Sequence, residues 1–199
     1  MKYFLDTEFI EGFHKPMFGR KRHFIDLISI GIVREDGKSY YAICRDYDPK
    51  DADKWVMDNV ITPMYIQTVH GDQRNRYRTD NFHRFYGLSN DQIASDIISF
   101  VGDNPEFYAY YADYDWVLFC SLFGRMIDLP KGFPMYCRDP KQTLDGKISQ
   151  SEIRSIGYDR AVQRLKEKKG YPQGDNSHNA LEDARWNKQL YEFLQTFQP

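Results

Sequence analysis

Three apolar stretches at the start of the chain predict neighbouring β-strands. They cover residues 2–9 (KYFLDTEF), 24–33 (FIDLISIGIV) and 38–47 (KSYYAICRDY). The tetrapeptide REDG separates the last two, and a Gly-containing segment of this length is typical of a β-hairpin. The chain is therefore expected to open with an antiparallel meander.

Helical spacing of apolar residues begins further along the chain. A short helix is expected at 51–61, ending before Pro63, and a longer one at 89–103 with Ser89 as its cap. The same reading gives strands at 106–111 and 133–138 and helices at 114–127 and 178–197. Strands followed by helices indicate α/β layers, and the length suits a single domain over residues 1–199.

Two acidic residues interrupt the first apolar strand. Side chains alternate across a strand, so Asp6 and Glu8 point to the same face. Two charged carboxylates in a packed interior are costly, and this face must therefore receive a cation, a proton or open water.

Two predicted helices carry further inward-facing acids. Asp115 heads the apolar face of the helix at 114–127, and Asp183 lies on the buried stripe of the last helix beside Ala180 and Ala184. Alone, such residues are more often helix caps or solvated acids. Together, their carboxylates suggest a shared metal site, and an all-oxygen ligand set favours Mg²⁺ or Mn²⁺ over Zn²⁺.

Four acids can hold two such ions, which would stabilise the attacking and leaving oxygens of a displacement at phosphorus. His178, five residues before Asp183, is expected at the cap of the last helix. As a cap residue it can turn toward the ions, and a neutral imidazole there could accept the proton of an attacking water.

Charge and cysteine content limit the possible partners of the protein and its cellular compartment. Lys+Arg 27 against Asp+Glu 29 gives a formal charge of -2, so any contact with nucleic acid must be local. The three cysteines form no CxxC pair, which argues against a zinc knuckle or a disulfide framework and fits a reducing cytoplasm. Nowhere do 18 apolar residues run together, so neither a signal peptide nor a membrane span is expected.

Three short motifs carry a resemblance to a known family. DTEF at 6–9, YYADYD at 110–115 and HNALEDA at 178–184 resemble the DEDD exonuclease superfamily, in the DEDDh branch whose third motif contains histidine. Within it, they look most like the RNase AS group of small bacterial exoribonucleases directed at polyadenylate. The resemblance implies a ribonuclease H-like α/β fold, with a mixed central sheet flanked by helices in which parallel strands follow the meander.

Carried over by position, the resemblance makes Asp6, Glu8, Asp115 and Asp183 the metal ligands and His178 the general base. The acid at Asp113 departs from the family pattern. Asp115 is preferred to it as the ligand because it follows the aromatic Tyr114 and begins the apolar helical face.

The implied activity is that of a 3′–5′ exoribonuclease with two Mg²⁺ or Mn²⁺ ions. Its partner would be RNA with a free 3′ end, either single-stranded or in a 3′ overhang, and its products 5′-mononucleotides. A homodimer is expected by analogy, and no membrane partner. The alternatives are an exodeoxyribonuclease, a phosphatase or nucleotide hydrolase, and a non-catalytic domain that binds nucleic acid.

Candidate substrate contacts lie close to the acidic motifs. The family often places the residue at Phe9 against the terminal nucleotide, and Thr7 and Trp116 adjoin the same motifs, although aromatic residues here could equally belong to the core. The basic segment at 14–24, which contains Lys15 and the candidates Arg20, Lys21 and Arg22, and the Arg-rich segment at 70–86 could guide phosphates.

Overall fold

A four-stranded mixed sheet forms the centre of the computed structural model, which describes residues 1–14, 18–68, 82–174 and 178–197. Strands β1 (Lys2–His14), β2 (Arg22–Arg34) and β3 (Ser39–Ile43) are antiparallel neighbours. Strand β4 (Glu106–Tyr108) pairs with β1 in parallel, and the sheet order is β3-β2-β1-β4. The predicted meander is confirmed, as is the change to a parallel strand after it.

The first two strands are longer than predicted. Their pairing continues to His14 and Arg22, so part of the basic segment at 14–24 belongs to the two strands. Aromatic pairs support this extension: the rings of His14 and Phe24 stack at 4.2 Å, and those of Phe13 and His23 meet edge to face at 5.6 Å.

The predicted strand at 133–138 is wrong. In this segment, which lies wholly within the described residues, the sheet receives one isolated bridge, between Tyr108 and Arg138. The chain bends at Met135 and Tyr136, so of this segment Arg138 alone reaches the sheet. Strand β4 also ends before the predicted residue 111, because Tyr111 adopts a left-handed backbone conformation (φ 56°) that turns the chain.

The predicted helix stop before Pro63 is also wrong. Helix α1 (Lys54–Val56) continues through a π-helical segment, Met57–Ile61, into α2 (Thr62–Thr68). The backbone N–H of Thr62 donates to the carbonyl of Met57, five residues earlier. The wider π-helical turn accommodates Pro63, which lacks the N–H needed for a regular α-helical bond.

The remaining helices follow in chain order. Helix α3 (Phe82–Tyr86) precedes α4 (Asn90–Phe100), and Ser89 caps α4 in a capping box with Gln92, as its sequence predicts. Helix α5 (Asp113–Ser121) is shorter than expected and ends close to Gly124 (φ 107°). Short 3₁₀ turns lie at Pro49–Asp51 and Met126–Asp128. Helices α6 (Pro140–Gly146), α7 (Gln150–Ile156) and α8 (Tyr158–Lys166) were not predicted, and α9 (Ala180–Thr196) was.

Two groups of buried side chains support this arrangement. The larger packs the sheet against α4 and α5, with Ile30, Ile97 and Phe119 fully buried. The smaller packs α6 and α8 against the later part of α9, through residues such as Leu165 and Leu190. Helix α9 thus lies between the sheet and the late helices. Among the described residues, no helix is long and apolar enough to cross a membrane.

Candidate active site

Three carboxylates from two elements meet beside the central strand of the sheet. Asp6 and Glu8 lie on β1, and Asp183 lies in the first turn of α9. One carboxylate oxygen of each residue lies within 4.8 Å of those of the other two, and all three residues are half-buried. A set of oxygen donors at this separation can bind a hard divalent cation.

The close approach of α9 to the sheet depends on a glycine. Gly31 on β2 is the register partner of Asp6. A Cβ atom added to Gly31 would lie 2.3 Å from the Ala180 carbonyl oxygen and 2.5 Å from Leu181 Cα, so only glycine fits without displacing the helix. Ala180 and Ala184 of α9 are both completely buried. The small side chains therefore allow α9 to pack closely on the sheet, and this places Asp183 beside Asp6.

The start of α9 is capped by Asn179, and the predicted capping role of His178 is wrong. The Asn179 side-chain oxygen accepts hydrogen bonds from the backbone N–H groups of Leu181 and Glu182. Its amide nitrogen donates to Gln67 Oε1 of α2 at 3.0 Å. The cap thus also connects the start of α9 to α2.

Asp115 lies on α5 behind the group of three. It is only 6% exposed, and its Oδ1 accepts hydrogen bonds from the Thr7 backbone N–H (2.8 Å) and hydroxyl (2.6 Å). Thr7 lies between Asp6 and Glu8 on β1, so these bonds tie α5 to the acidic strand. Asp113, by contrast, is exposed.

Burial and mutual repulsion raise the pKa values of these acids. Burial raises the pKa of Glu8 to about 8, and the charges of Asp183 and Asp115 add to the rise. The pKa of Asp6 lies well above its usual range for the same reasons. Burial also raises the pKa of Asp115 to about 6, against the lowering effect of its two bonds from Thr7. A bound cation would relieve this repulsion, so the residues present fit a divalent metal.

His178 lies outside the group of three carboxylates. It has a left-handed backbone conformation (φ 46°), is half-buried, and meets the Trp55 ring edge to face at 4.8 Å. It lines a small cavity with Ser29 and Tyr41. Since Ser29 is the register partner of Glu8, this cavity adjoins the acidic strand.

The residues predicted to contact substrate occupy different environments. Thr7 is buried with its hydroxyl on Asp115, and Trp116 is buried in the core, stacked on Phe119 at 4.9 Å. Phe9 is half-buried against Tyr114. The exposed basic candidates lie at the start of β2: Arg20, Lys21 and Arg22. Lys15 and residues 69–81 of the Arg-rich segment lie outside the described residues.

A large cavity beside Asp183 was not predicted. It has a volume of about 710 Å³ and lies between α9 and the segment after α8. Its lining includes Asp183, Trp186 and three lysines, Lys166, Lys168 and Lys169. The repeated lysines in LKEKKGYP are a signal that the sequence contains, but no function is predicted for them from the sequence alone.

The fold resembles that of a nuclease. A solved structure of exonuclease I aligns with 100% of this chain at a TM-score of 0.56 and 16% identity, and the chain spans 42% of that larger protein. This similarity supports the predicted ribonuclease H-like α/β class.

Sequence comparison identifies the family. Residues 1–195 match the 3′-5′ exoribonuclease Rv2179c-like domain. Two relatives from Mycobacterium tuberculosis, the 3′-5′ exoribonucleases Rv2179c (strain H37Rv) and MT2234.1 (strain CDC 1551), are each 33% identical over 188 residues, which cover 93% of this chain and 88% of the relative. The chain therefore belongs to the Rv2179c-like 3′-5′ exoribonuclease domain family and is a 3′–5′ exonuclease, which confirms the predicted enzyme class.

Proposed function

We propose that this exonuclease hydrolyses RNA from a free 3′ end, in a single strand or a 3′ overhang, and releases 5′-mononucleotides. The observation that carries this proposal is the meeting of Asp6, Glu8 and Asp183 beside the sheet, with Asp115 held behind them. The two mycobacterial relatives are named as exoribonucleases, which favours RNA over DNA.

The four acids would hold two Mg²⁺ or Mn²⁺ ions. Asp6, Glu8 and Asp183 offer oxygens within 4.8 Å of one another, and Asp115 offers its second carboxylate oxygen because Thr7 occupies only Oδ1. When bound, the ions supply charge stabilisation to the attacking and leaving oxygens at phosphorus. The buried position of Asp115 supports its choice over the exposed Asp113.

His178 would act as the general base. Its imidazole would accept a proton from the attacking water as the water oxygen bonds to the terminal phosphorus. The bond from phosphorus to the 3′ oxygen of the preceding nucleotide breaks, and that oxygen takes up a proton from solvent. The products are a nucleoside 5′-monophosphate and an RNA one nucleotide shorter. Edge-to-face packing on Trp55 would orient the ring.

Phe9, half-buried beside Tyr114, would contact the terminal nucleotide, and the exposed Arg20, Lys21 and Arg22 would attract RNA phosphates. Thr7 would act through Asp115, since its hydroxyl donates to that carboxylate. Preference for polyadenylate and assembly as a homodimer belong to the same proposal.

The test is digestion of a 5′-labelled polyadenylate RNA and a DNA of the same sequence, each with Mg²⁺, Mn²⁺ or EDTA. We expect a ladder that shortens from the 3′ end of the RNA, requires metal, and is lost in Asp183→Asn. Faster digestion of DNA would support an exodeoxyribonuclease instead. Intact oligonucleotides with hydrolysis of mononucleotides would support a phosphatase.

A further inference from the structure

We propose that Lys166, Lys168 and Lys169 bind the phosphates of RNA nucleotides upstream of the 3′-terminal one, in the cavity that reaches Asp183. This inference rests on the proposed function, since it assigns the path of the same RNA. It would make the enzyme more effective on long RNA than on the shortest substrates.

The cavity connects the lysines to the acidic cluster. It is bounded on one side by Asp183 and Trp186 of α9, and on the other by the end of α8 and the segment up to Gly174. A volume of about 710 Å³ is within the range of ligand sites, roughly 300–1,000 Å³. RNA with its 3′ end at Asp183 would therefore have room to continue toward the lysines.

The lysines are available for an anion. All three are exposed, and none forms an ion pair with a described residue, whereas Lys2, Lys141 and Lys188 each pair with an acid. Lys166 lies in the last turn of α8, where its positive charge interacts favourably with the helix dipole. Lys168 and Lys169 lie beyond the helix, so the helix dipole does not account for their presence.

The segment that carries the lysines is attached to α9. Trp186 Nε1 donates to the Pro172 carbonyl oxygen at 3.2 Å, and the Tyr171 ring meets Phe193 of α9 edge to face at 5.5 Å. Helix α9 therefore fixes the lysine segment relative to Asp183. Lys166, Lys168 and Lys169 outnumber the one acid of this segment that lines the cavity, Glu167, so its net charge is positive. A positively charged surface that is already fixed needs little ordering when a flexible RNA binds.

Substrate length separates this role from catalysis. A dinucleotide contains only the scissile phosphate, so no upstream phosphate remains for the lysines. A single-stranded RNA of about 15 nucleotides has many, and each lysine contact should add about 0.7 to the slope of log affinity against log salt concentration.

The experiment compares the wild type with K166Q/K168Q/K169Q, in Mg²⁺, on a 15-nucleotide RNA and on a dinucleotide. A matched control is K38Q/K50Q/K131Q, which removes the same charge from exposed lysines away from the cavity. We expect KM for the long RNA to rise about tenfold with a salt slope smaller by about 2, while dinucleotide hydrolysis and the control stay unchanged. Circular dichroism checks that the variants fold. If the triple variant does not fold, KM and the salt slope are measured for the three single-lysine variants instead.

Unchanged KM and salt slope on the long RNA would overturn the proposal. An equal loss of activity on both substrates, or an equal effect in the control variant, would also overturn it, because the lysines would then not act by binding upstream phosphates. Failure of the wild type to cleave either RNA would instead contradict the proposed function.

Discussion

Asn187 joins the helix that carries Asp183 to the strand that carries Asp6. Its Nδ2 donates to the Leu5 carbonyl oxygen at 2.9 Å, and the side chain is only 1% exposed. Asn187 follows Asp183 by one helical turn, and Leu5 directly precedes Asp6. The bond therefore fixes the two halves of the carboxylate cluster relative to each other, although Asn187 is not one of the acids.

Replacing Asn187 with leucine should reduce both stability and turnover. The change keeps the approximate size but leaves the buried Leu5 carbonyl without this donor, at a cost of about 1–3 kcal/mol. We expect kcat to fall about tenfold with little change in KM, since the geometry around Asp183 loosens. Urea unfolding and steady-state kinetics measure the two effects. Gln189→Leu, on an exposed position of the same helix, is the control, and an equal loss there would contradict a positioning role.

Replacing Gly31 with alanine should displace the start of α9. The added Cβ would lie 2.3 Å from the Ala180 carbonyl oxygen, so the backbone of α9 must shift. We expect a loss of at least tenfold in kcat and weaker Mg²⁺ binding, measured by calorimetry, because Asp183 moves away from Asp6. Gly146→Ala is the matched control, since a Cβ there meets nothing within 4 Å. Normal metal affinity in the Gly31 variant would show that the approach of α9 is not needed.

Neutralising the acids should separate activity from stability. Asp6→Asn and Asp183→Asn should each lower activity by more than about 100-fold through loss of metal binding. Without metal, Asp6→Asn should be at least as stable as the wild type, because it removes a buried, repelled charge. Asp115→Asn should be far more damaging than Asp113→Asn. Activity assays with thermal unfolding in EDTA test both points, and an inactive Asp113→Asn with an active Asp115→Asn would reverse the assignment.

The sequence predicted the strand and the helices that carry the acids, but it did not predict the contacts that pack these elements together. Alternation on β1 puts Asp6 and Glu8 on one face, and helical spacing puts Asp183 on the inward stripe of α9, because both depend on local periodicity. The contacts of Gly31 with Ala180 and of Asn187 with Leu5 join residues about 150 or more positions apart. Local patterns contain no signal for such contacts.

Departures of the backbone from regular rules account for other differences. The sequence indicates a helix stop before Pro63 because it cannot show that a π-helical turn accommodates the missing N–H. Likewise, the segment at 133–138 has strand-forming residues, yet the chain bends at Met135 and Tyr136 before Arg138 reaches the sheet. The sequence predicts His178 as the cap of α9, whereas the structure has Asn179 there. Both residues precede the helix, and only the structure shows which side chain accepts hydrogen bonds from the first backbone amides.

The metal-free protein should lose stability as the pH rises from about 4.5 to about 8. Burial raises the pKa of Glu8 from its usual 4.5 to about 8, so between these values the folded protein binds more protons than the unfolded chain. Its stability must then fall with rising pH in this window, and the raised pKa values of Asp6 and Asp115 act in the same direction. Urea unfolding in EDTA at several pH values measures this effect. Glu8→Gln should flatten the profile, and Mg²⁺ should stabilise the wild type more at pH 8 than at pH 5 because deprotonated carboxylates bind the ion. A Glu8→Gln profile as steep as that of the wild type would contradict this account.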